Sequence, residues 1–418
     1  MSTMYLVLFG ILIGSALTQF YLVAGFVSCL RKWKKPLLVD TACPQATVIL
    51  CLRGGDPFLT RCIRGLMAQD YPNYDVLYMV DHAEDPAMSI LNQTLAECAF
   101  DRFRIDFLAS PLNTCSLKCS GLVQAIESLP ASTKIVAFLD ADTIPHASWL
   151  RELCTALEPN NVGAATGNRW YRPTKPSQGS LIRYLWNAAA IVQMYWYRIA
   201  WGGTLAIKLD SIRRAGILES WRKAYAEDCM VHSALAKIGE HVVFVPSLMM
   251  INREDCTVSA FQSWVKRQLL SARLYHPFWS LVVAHGISSA VVLLWGCLLC
   301  VAAAVQGDFR GAVGVFFALF AFHTFLSCLL PSMERAVFEI AKERGDDDAW
   351  PCKPNFFAVL WIGWLTQWVY TWALLGCLFL KRFNWRGIEY KVDGPFDIKM
   401  LGYRPYQSEP KTLESHSI

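Results

Sequence analysis

Residues Met4 to Leu30 carry no charged side chain, a run longer than the roughly 20 residues a helix needs to cross the hydrocarbon core of a bilayer. RKWKK, Arg31 to Lys35, follows at once, and basic residues beside a span stay in the cytoplasm. The run is too long for a signal-peptide core and has no basic residue before it, so it reads as an uncleaved anchor. Three more apolar blocks close the chain: Trp279 to Val305, Gly311 to Leu330 and Phe356 to Leu380. With 54% hydrophobic residues and a mean hydropathy of +0.29, the composition exceeds that of one soluble domain. An integral membrane protein is expected.

These blocks divide the chain into an anchor with its basic flank (1–35), a charge-bearing catalytic domain facing the cytoplasm (44–256), an amphipathic interfacial helix (257–278), C-terminal membrane helices (279–380) and a cytosolic tail (381–418). The net charge of +5 gathers beside the membrane ends, which suits anionic headgroups and argues against nucleic acid. The 15 cysteines are scattered without metal-ligand spacing, so reduced thiols are expected. Four full spans would put the tail outside, yet KRFNWR, Lys381 to Arg386, belongs inside. One block therefore fails to cross. Phe356 to Leu380 is the candidate, because Trp361, Trp364, Gln367, Trp368 and Trp372 suit an interfacial or re-entrant helix.

Within the catalytic domain, short β-type runs alternate with helical patterns, the signature of an α/β fold with a mostly parallel sheet. ATVILCL (Ala46 to Leu52), DVLYMV (Asp75 to Val80) and KIVAFL (Lys134 to Leu139) read as strands, and Leu59, Cys62, Ile63, Leu66 and Met67 recur at helical spacing. The last two strands run into acids: Asp85 in VDHAEDP, and Asp140 and Asp142 in FLDADT. Open α/β sheets bind ligands beyond the carboxyl ends of their strands, so these acids can converge. A carboxylate there can hold Mg²⁺ or Mn²⁺ against diphosphate oxygens. Asp142 is the expected metal ligand, with Asp140 contacting ribose or metal, although Asp-x-Asp pairs also cap turns. Asp228, in YAEDC, precedes a helical pattern and reads either as a first-turn carboxylate or as a general base, with Glu227 the less favoured neighbour.

LRGGDP, QDYPNYDV, VDHAEDPA, LDADT, YAEDC and the basic helix FQSWVKRQ follow one another in this order. The set resembles the family 2 type of inverting, membrane-bound glycosyltransferases with a GT-A fold, and most closely the ceramide glucosyltransferase branch, over nearly the whole chain. The resemblance implies a nucleotide site at Arg53, Gly54 and Asp56, with Asp85 and Asp140 as the first two branch aspartates, Asp228 as the third and the base, and Lys118 as a lysine holding the nucleotide. The branch's (Arg/Gln)-x-x-Arg-Trp motif survives only as Arg267, carried over as a contact to diphosphate or acceptor. Trp264 and Gln268 receive no role by position. LDADT is closer to the wider family than to ceramide-type enzymes, whereas NWRGIEY (Asn384 to Tyr390) keeps a Trp-Arg-x-x-x-Tyr pattern that implies a tail returning to the catalytic domain.

The implied activity is transfer of a hexose, glucose first among candidates, from a UDP-sugar to the hydroxyl of a membrane lipid such as ceramide. The product is a β-linked glycolipid, as in sphingolipid metabolism. A processive polysaccharide synthase of the same fold is the rival, with few membrane segments and a degraded motif against it. A non-catalytic membrane scaffold whose aspartates only cap helices is the other. Leu181 to Trp201 reads as an interfacial or core helix, Thr257 to His276 as a membrane-surface helix, and GDDD (Gly345 to Asp348) as a solvated loop.

Overall fold

The computed structural model describes residues 2–32, 35–346 and 355–407. Trp33 and Lys34 of the basic flank, Asp347 and Asp348 of GDDD, and the last part of the tail lie outside the described residues.

The catalytic domain is built on strands β1 (Ala46–Leu52), β2 (Tyr74–Val80), β3 (Phe103–Phe107), β4 (Ile135–Leu139), β5 (Val162–Tyr171), β6 (Thr204–Lys208) and β7 (His241–Asn252). They form one sheet in the order β3-β2-β1-β4-β6-β5-β7. Strands β1 to β4 pair in parallel, and β6 is antiparallel to both neighbours, β4 and β5. The expected mostly parallel α/β sheet is present, with β1 at the bounds read from the sequence. The central strands β1, β2 and β4 are apolar at nearly every position because both faces are covered. Ile49, Leu77 and Phe138 pack with Leu122, Val123 and Ile126, whereas Val48, Leu50, Val76 and Tyr78 pack with Leu59, Ile63 and Leu66 on the other face. This alternation is the period of two that a pleated strand imposes.

The covering helices are α2 (Leu59–Met67), α3 (Pro86–Ala96), α4 (Leu117–Glu127), α5 (Trp149–Ala156), α6 (Gln178–Tyr197), α7 (Leu209–Arg214), α8 (Ile217–Trp221), α9 (Val231–Ala236) and α10 (Val258–Tyr275), preceded in the chain by α1 (Ser2–Lys32). The helix expected on the membrane surface at 257–276 is instead largely buried. Phe261, Trp264, Val265 and Leu270 of α10 lie in the core, and Trp264 packs edge-on against Trp186 of α6.

Among the described residues, three helices are long and apolar enough to cross a membrane: α1, α11 (Trp279–Val305) and α12 (Phe309–Glu343). Leu8 and Leu12, Leu293 and Leu299, and Val315 and Leu319 join them in one apolar cluster. Leu6, Leu17, Leu298, Val301 and Phe317 point outward and stay exposed, as a lipid-facing surface requires. The block read as Gly311 to Leu330 belongs to a longer helix that continues through Pro331. Its far end docks on the catalytic domain. Glu334 pairs with the buried Arg172, and Arg344 donates to the Ser247 and Met249 carbonyls of β7 at 3.1 and 2.8 Å.

Helix α13 (Phe356–Leu378) is not among the three apolar spans. The chain touches the catalytic domain at Arg344 before it and again at Arg386 after it, and Phe357 and Trp361 near its start line an apolar pocket with Cys297, Val301, Phe316 and Phe320 of α11 and α12. Arg273 of α10 donates to the carbonyls at the C-terminal end of α13, Leu378 and Leu380, both at 2.9 Å. Those carbonyls lack helical partners and carry the negative end of the dipole.

The tail forms a small antiparallel sheet of β8 (Arg382–Trp385), β9 (Ile388–Gly394) and β10 (Asp397–Met400). Arg386 and Gly387 join β8 to β9 with φ of 46° and 79°. Positive φ at both central positions is what a two-residue hairpin of matching twist requires.

Candidate active site

A cleft of about 1330 Å³, its open mouth included, lies beyond the carboxyl ends of β1, β2 and β4. Asp81, Asp140, Asp142, Glu227 and Asp228 bring carboxylates to it, and Arg53, Lys118, Arg169, Arg267 and Arg386 bring cations. The tail contributes Trp385 and Tyr390 to the wall, and the Tyr390 hydroxyl accepts from the Leu117 N–H at 3.2 Å.

Lys118, one residue into α4, sits 2.6 Å from both Asp140 Oδ1 and Glu227 Oε1. Burial opposes its charge, but the two carboxylates outweigh that and hold its pKa well above the usual value. Burial also pushes the Asp140 carboxyl up, yet Lys118, Arg169 and Arg386 together bring it below its ordinary range. Glu227 is raised by burial and by Asp228 and Asp140, against the pull of Lys118. Gly202 and Gly203 let these groups reach the backbone: a Cβ at 202 would meet Glu227 and one at 203 would lie 2.9 Å from Asp140 Oδ2.

Asp142 has less compensation. Among the described residues its side chain takes one hydrogen bond, from the Thr143 hydroxyl at 3.3 Å, and burial with the like charges of Asp140 and Asp56 pushes its pKa up to about 7 despite Arg169. A carboxylate so placed is short of positive charge, which a divalent cation supplies. The oxygen donors of Asp142 and Asp140 therefore fit a hard metal ion.

Asp228 accepts from the Gly202 N–H at 3.1 Å through one oxygen and from the Cys229 N–H at 2.7 Å through the other. It caps no helix, since α9 begins after Met230. Backbone donors orient it, and each oxygen keeps a lone pair for a ligand. Arg267 is buried beneath the cleft with its guanidinium 5.7 Å over the Trp385 ring, and no carboxylate pairs with it among the described residues. Burial, with Arg386 and Arg169 nearby, lowers its pKa. Such a cation awaits an anion.

Other expected residues lie elsewhere. Asp85 does not line the cleft. It is the N-cap of α3, accepting from the Ala87 N–H at 2.8 Å and from the Gly54 N–H at 2.9 Å. Asp56 is also outside, buried in the turn after β1, with Oδ1 taking the Phe58 N–H at 2.9 Å and Oδ2 3.5 Å from Arg386. Asp81, His82 and Asp85 bring ligand atoms within 4.8 Å of one another, but backbone N–H groups use Asp85 and Arg53 pairs with Asp81.

Two charged lining residues, Asp81 and Arg169, escaped the sequence reading, whereas Arg386 is the arginine of the Trp-Arg-x-x-x-Tyr pattern noted there. Asp81 stands at the end of β2, and the Asp85-Pro86 pair, a helix-start signal, could have reassigned Asp85 to a cap and left Asp81 for the cleft. Arg169 lies mid-strand in β5, stacked on Trp264 at 4.7 Å and Trp201 at 5.3 Å and bonded to Gln268 at 2.9 Å. No local motif marks it. Arg386 reaches the cleft through the hairpin turn just described.

The sequence model of glycosyl transferase family 21 matches residues 15–395. The chain belongs to glycosyl transferase family 21. A relative, an uncharacterized glycosyltransferase of Haemophilus influenzae, is 27% identical over 128 residues, which is 30% of this chain and 36% of the relative. The match thus spans about a third of that relative's length. Among solved structures, the mannosyltransferase PcManGT from Pyrobaculum calidifontis, in complex with GDP-Man and Mn²⁺, is 18% identical over 89% of this chain and 96% of that one, with a TM-score of 0.44. Glucosyl-3-phosphoglycerate synthase from Mycobacterium tuberculosis, in complex with Mn²⁺, UDP and glucosyl-3-phosphoglycerate, is 13% identical over 57% of this chain and 85% of that one, at 0.37. Membership rests on the sequence match. This family 21 chain has a mixed α/β domain built on a mostly parallel sheet, with apolar helices at its start and toward its end.

Proposed function

We propose that the chain transfers a hexose, glucose first, from a UDP-sugar to the primary hydroxyl of a ceramide-like membrane lipid, with inversion. The observation that carries this reading is the arrangement of Asp142, Asp228 and Arg267, a cation without a carboxylate partner among the described residues, on one cleft whose wall is made in part by Trp264, Arg267 and Gln268 of α10 and by Trp385 and Arg386 of the tail. Arg267, on the α10 side, is suited to the diphosphate, since a guanidinium binds phosphate oxygens through paired N–H donors. Lys118 holds Asp140 and Glu227 and keeps the cleft's charge balanced. A divalent ion, Mg²⁺ or Mn²⁺, bound by Asp142 with Asp140 would neutralise charge growing on the departing UDP.

Asp228 acts as general base: it takes the proton of the lipid hydroxyl as that oxygen attacks the anomeric carbon and the bond to UDP breaks. Glu227 suits this role less, being tied to Lys118 and buried. The lipid alcohol reaches the cleft from the bilayer along α10 and α13, while RKWKK and KRFNWR keep the catalytic domain in the cytoplasm. The test is incubation of purified protein with UDP-glucose, Mn²⁺ and ceramide in lipid nanodiscs, with products read by mass spectrometry. One hexose on an extractable lipid supports the reading. A polymer supports the processive alternative.

A further inference from the structure

Beyond β10, the chain crosses back over the ends of β1 and β2. Leu401, Gly402, Arg404 and Pro405 are exposed, whereas Tyr403 and Tyr406 are half-buried, so a few specific contacts hold the segment. The Arg404 carbonyl accepts from Arg53 Nη2 at 2.9 Å, and the Tyr406 N–H donates to Asp81 Oδ2 at 3.4 Å. The Tyr406 ring lies on Gly54, where a Cβ would come within 2.6 Å of it, and the Arg53 guanidinium is 5.5 Å from the ring centre. Gly54 has φ +78°, so it alone combines that backbone with that contact.

These contacts converge on the two side chains at the donor end of the cleft. Arg53 spends its donors on Asp81, on the Arg386 carbonyl at 3.0 Å and on the Arg404 carbonyl, which leaves it rigid. Among the described residues Asp81 Oδ1 is buried and accepts no hydrogen bond within 3.5 Å, the Tyr403 hydroxyl interacts with the same carboxylate, and Asp81 lines the cleft. A buried acceptor without a donor costs free energy that a bound N–H recovers.

We propose that Tyr403 to Tyr406 form a latch that holds Arg53 and Asp81 in the geometry that receives the nucleoside of the donor. The inference rests on the nucleotide-sugar reading above. Tyr406 acts as a positioning residue: its ring stays behind Gly54 and its effect passes through Arg53 and Asp81. The latch follows the membrane helices in the chain, so the nucleotide site is complete only after the tail has returned from α13.

The experiment compares UDP binding by calorimetry, donor and acceptor KM, and thermal unfolding in detergent for the full chain, Tyr406→Ala, Tyr406→Phe, a chain ending at Gln407 and one ending at Gly402. Loss of preorganisation in Tyr406→Ala and in the chain ending at Gly402 should weaken UDP binding and raise donor KM about tenfold. Acceptor KM and the unfolding midpoint should stay unchanged, and Tyr406→Phe and the chain ending at Gln407 should match the full chain. If the full chain binds UDP and every variant binds it equally, the latch falls and the functional reading stands. Equal weakening toward both substrates with a lowered unfolding midpoint also overturns the latch. A full chain that binds neither UDP nor GDP brings down the functional reading, and the latch with it.

Discussion

Arg267 of α10 holds its guanidinium 5.7 Å above the indole of Trp385, a residue that follows the last membrane-associated helix. The aromatic face steadies a buried cation without neutralising it, so the charge remains available to a phosphate. Replacing Arg267 with Met, which preserves most of the packing, should weaken donor binding by about 1.5–3 kcal/mol, the usual worth of hydrogen bonds to a charged group. Donor KM against acceptor KM measures this. Arg267→Lys should recover only part, because an ammonium lacks the paired donors.

Asp228→Asn keeps the shape of the side chain and loses its basicity. Transfer should fall by ~10²-fold or more while UDP affinity stays near normal. Single-turnover rates beside calorimetric UDP binding separate the two, and near-normal turnover removes Asp228 from the base role.

A metal held by Asp142, as proposed, would bind in a pH-dependent way. The folded pKa of Asp142, about 7, is raised above the usual carboxylate value, so between those limits the folded protein binds more protons than the unfolded chain. Stability from this group therefore falls as pH rises through that window, and the full penalty is present above pH 7. A bound cation offsets the penalty, and protons compete with it. Mn²⁺ should raise the unfolding midpoint more at pH 8 than at pH 5, and Asp142→Asn should abolish the difference. An equal shift at both pH values would exclude Asp142 as a ligand.

Lys118→Met leaves Asp140 and Glu227 facing each other across a buried gap without the ammonium between them. Removing one partner of a fully buried ion pair costs about 3–5 kcal/mol, and the partial exposure of Lys118 and Asp140 lowers the expected loss below that range. Chemical denaturation should show that loss, smaller at acidic pH where the carboxylates protonate.

The flanks of α13 should be accessible from one side of the membrane. With Cys297 and Cys328 replaced by serine as background, Gly307→Cys, between α11 and α12, should react with an impermeant thiol reagent from one side of sealed vesicles. Lys381→Cys should react from the other. Labelling of both from the same side would mean that α13 crosses.

Periodicity and local chemistry account for what was legible beforehand. The apolar run of Ala46–Leu52 and its strand coincide, because a strand buried on both faces must be apolar throughout. Asp140 and Asp142 follow β4 directly, so once that strand is placed they can only emerge at its carboxyl end. VDHAEDP was ambiguous for the opposite reason. It offers several acids within one turn, and the choice between Asp81 in the cleft and Asp85 at the α3 cap depends on where the backbone N–H groups of Gly54 and Ala87 point.

The amino-acid sequence alone therefore determined the apolar spans, the strands and the acids at their ends, since these follow from neighbours a few residues apart. The tertiary structure decided which acids share the cleft, that Lys118 bridges Asp140 and Glu227, that Arg267 meets Trp385, and that Arg273 reaches the carbonyls at the end of α13. Each of these is a contact between residues distant in the chain. Such contacts exist only when the sheet, the membrane hairpin and the returning tail have packed against one another, and no local pattern encodes where those pieces meet.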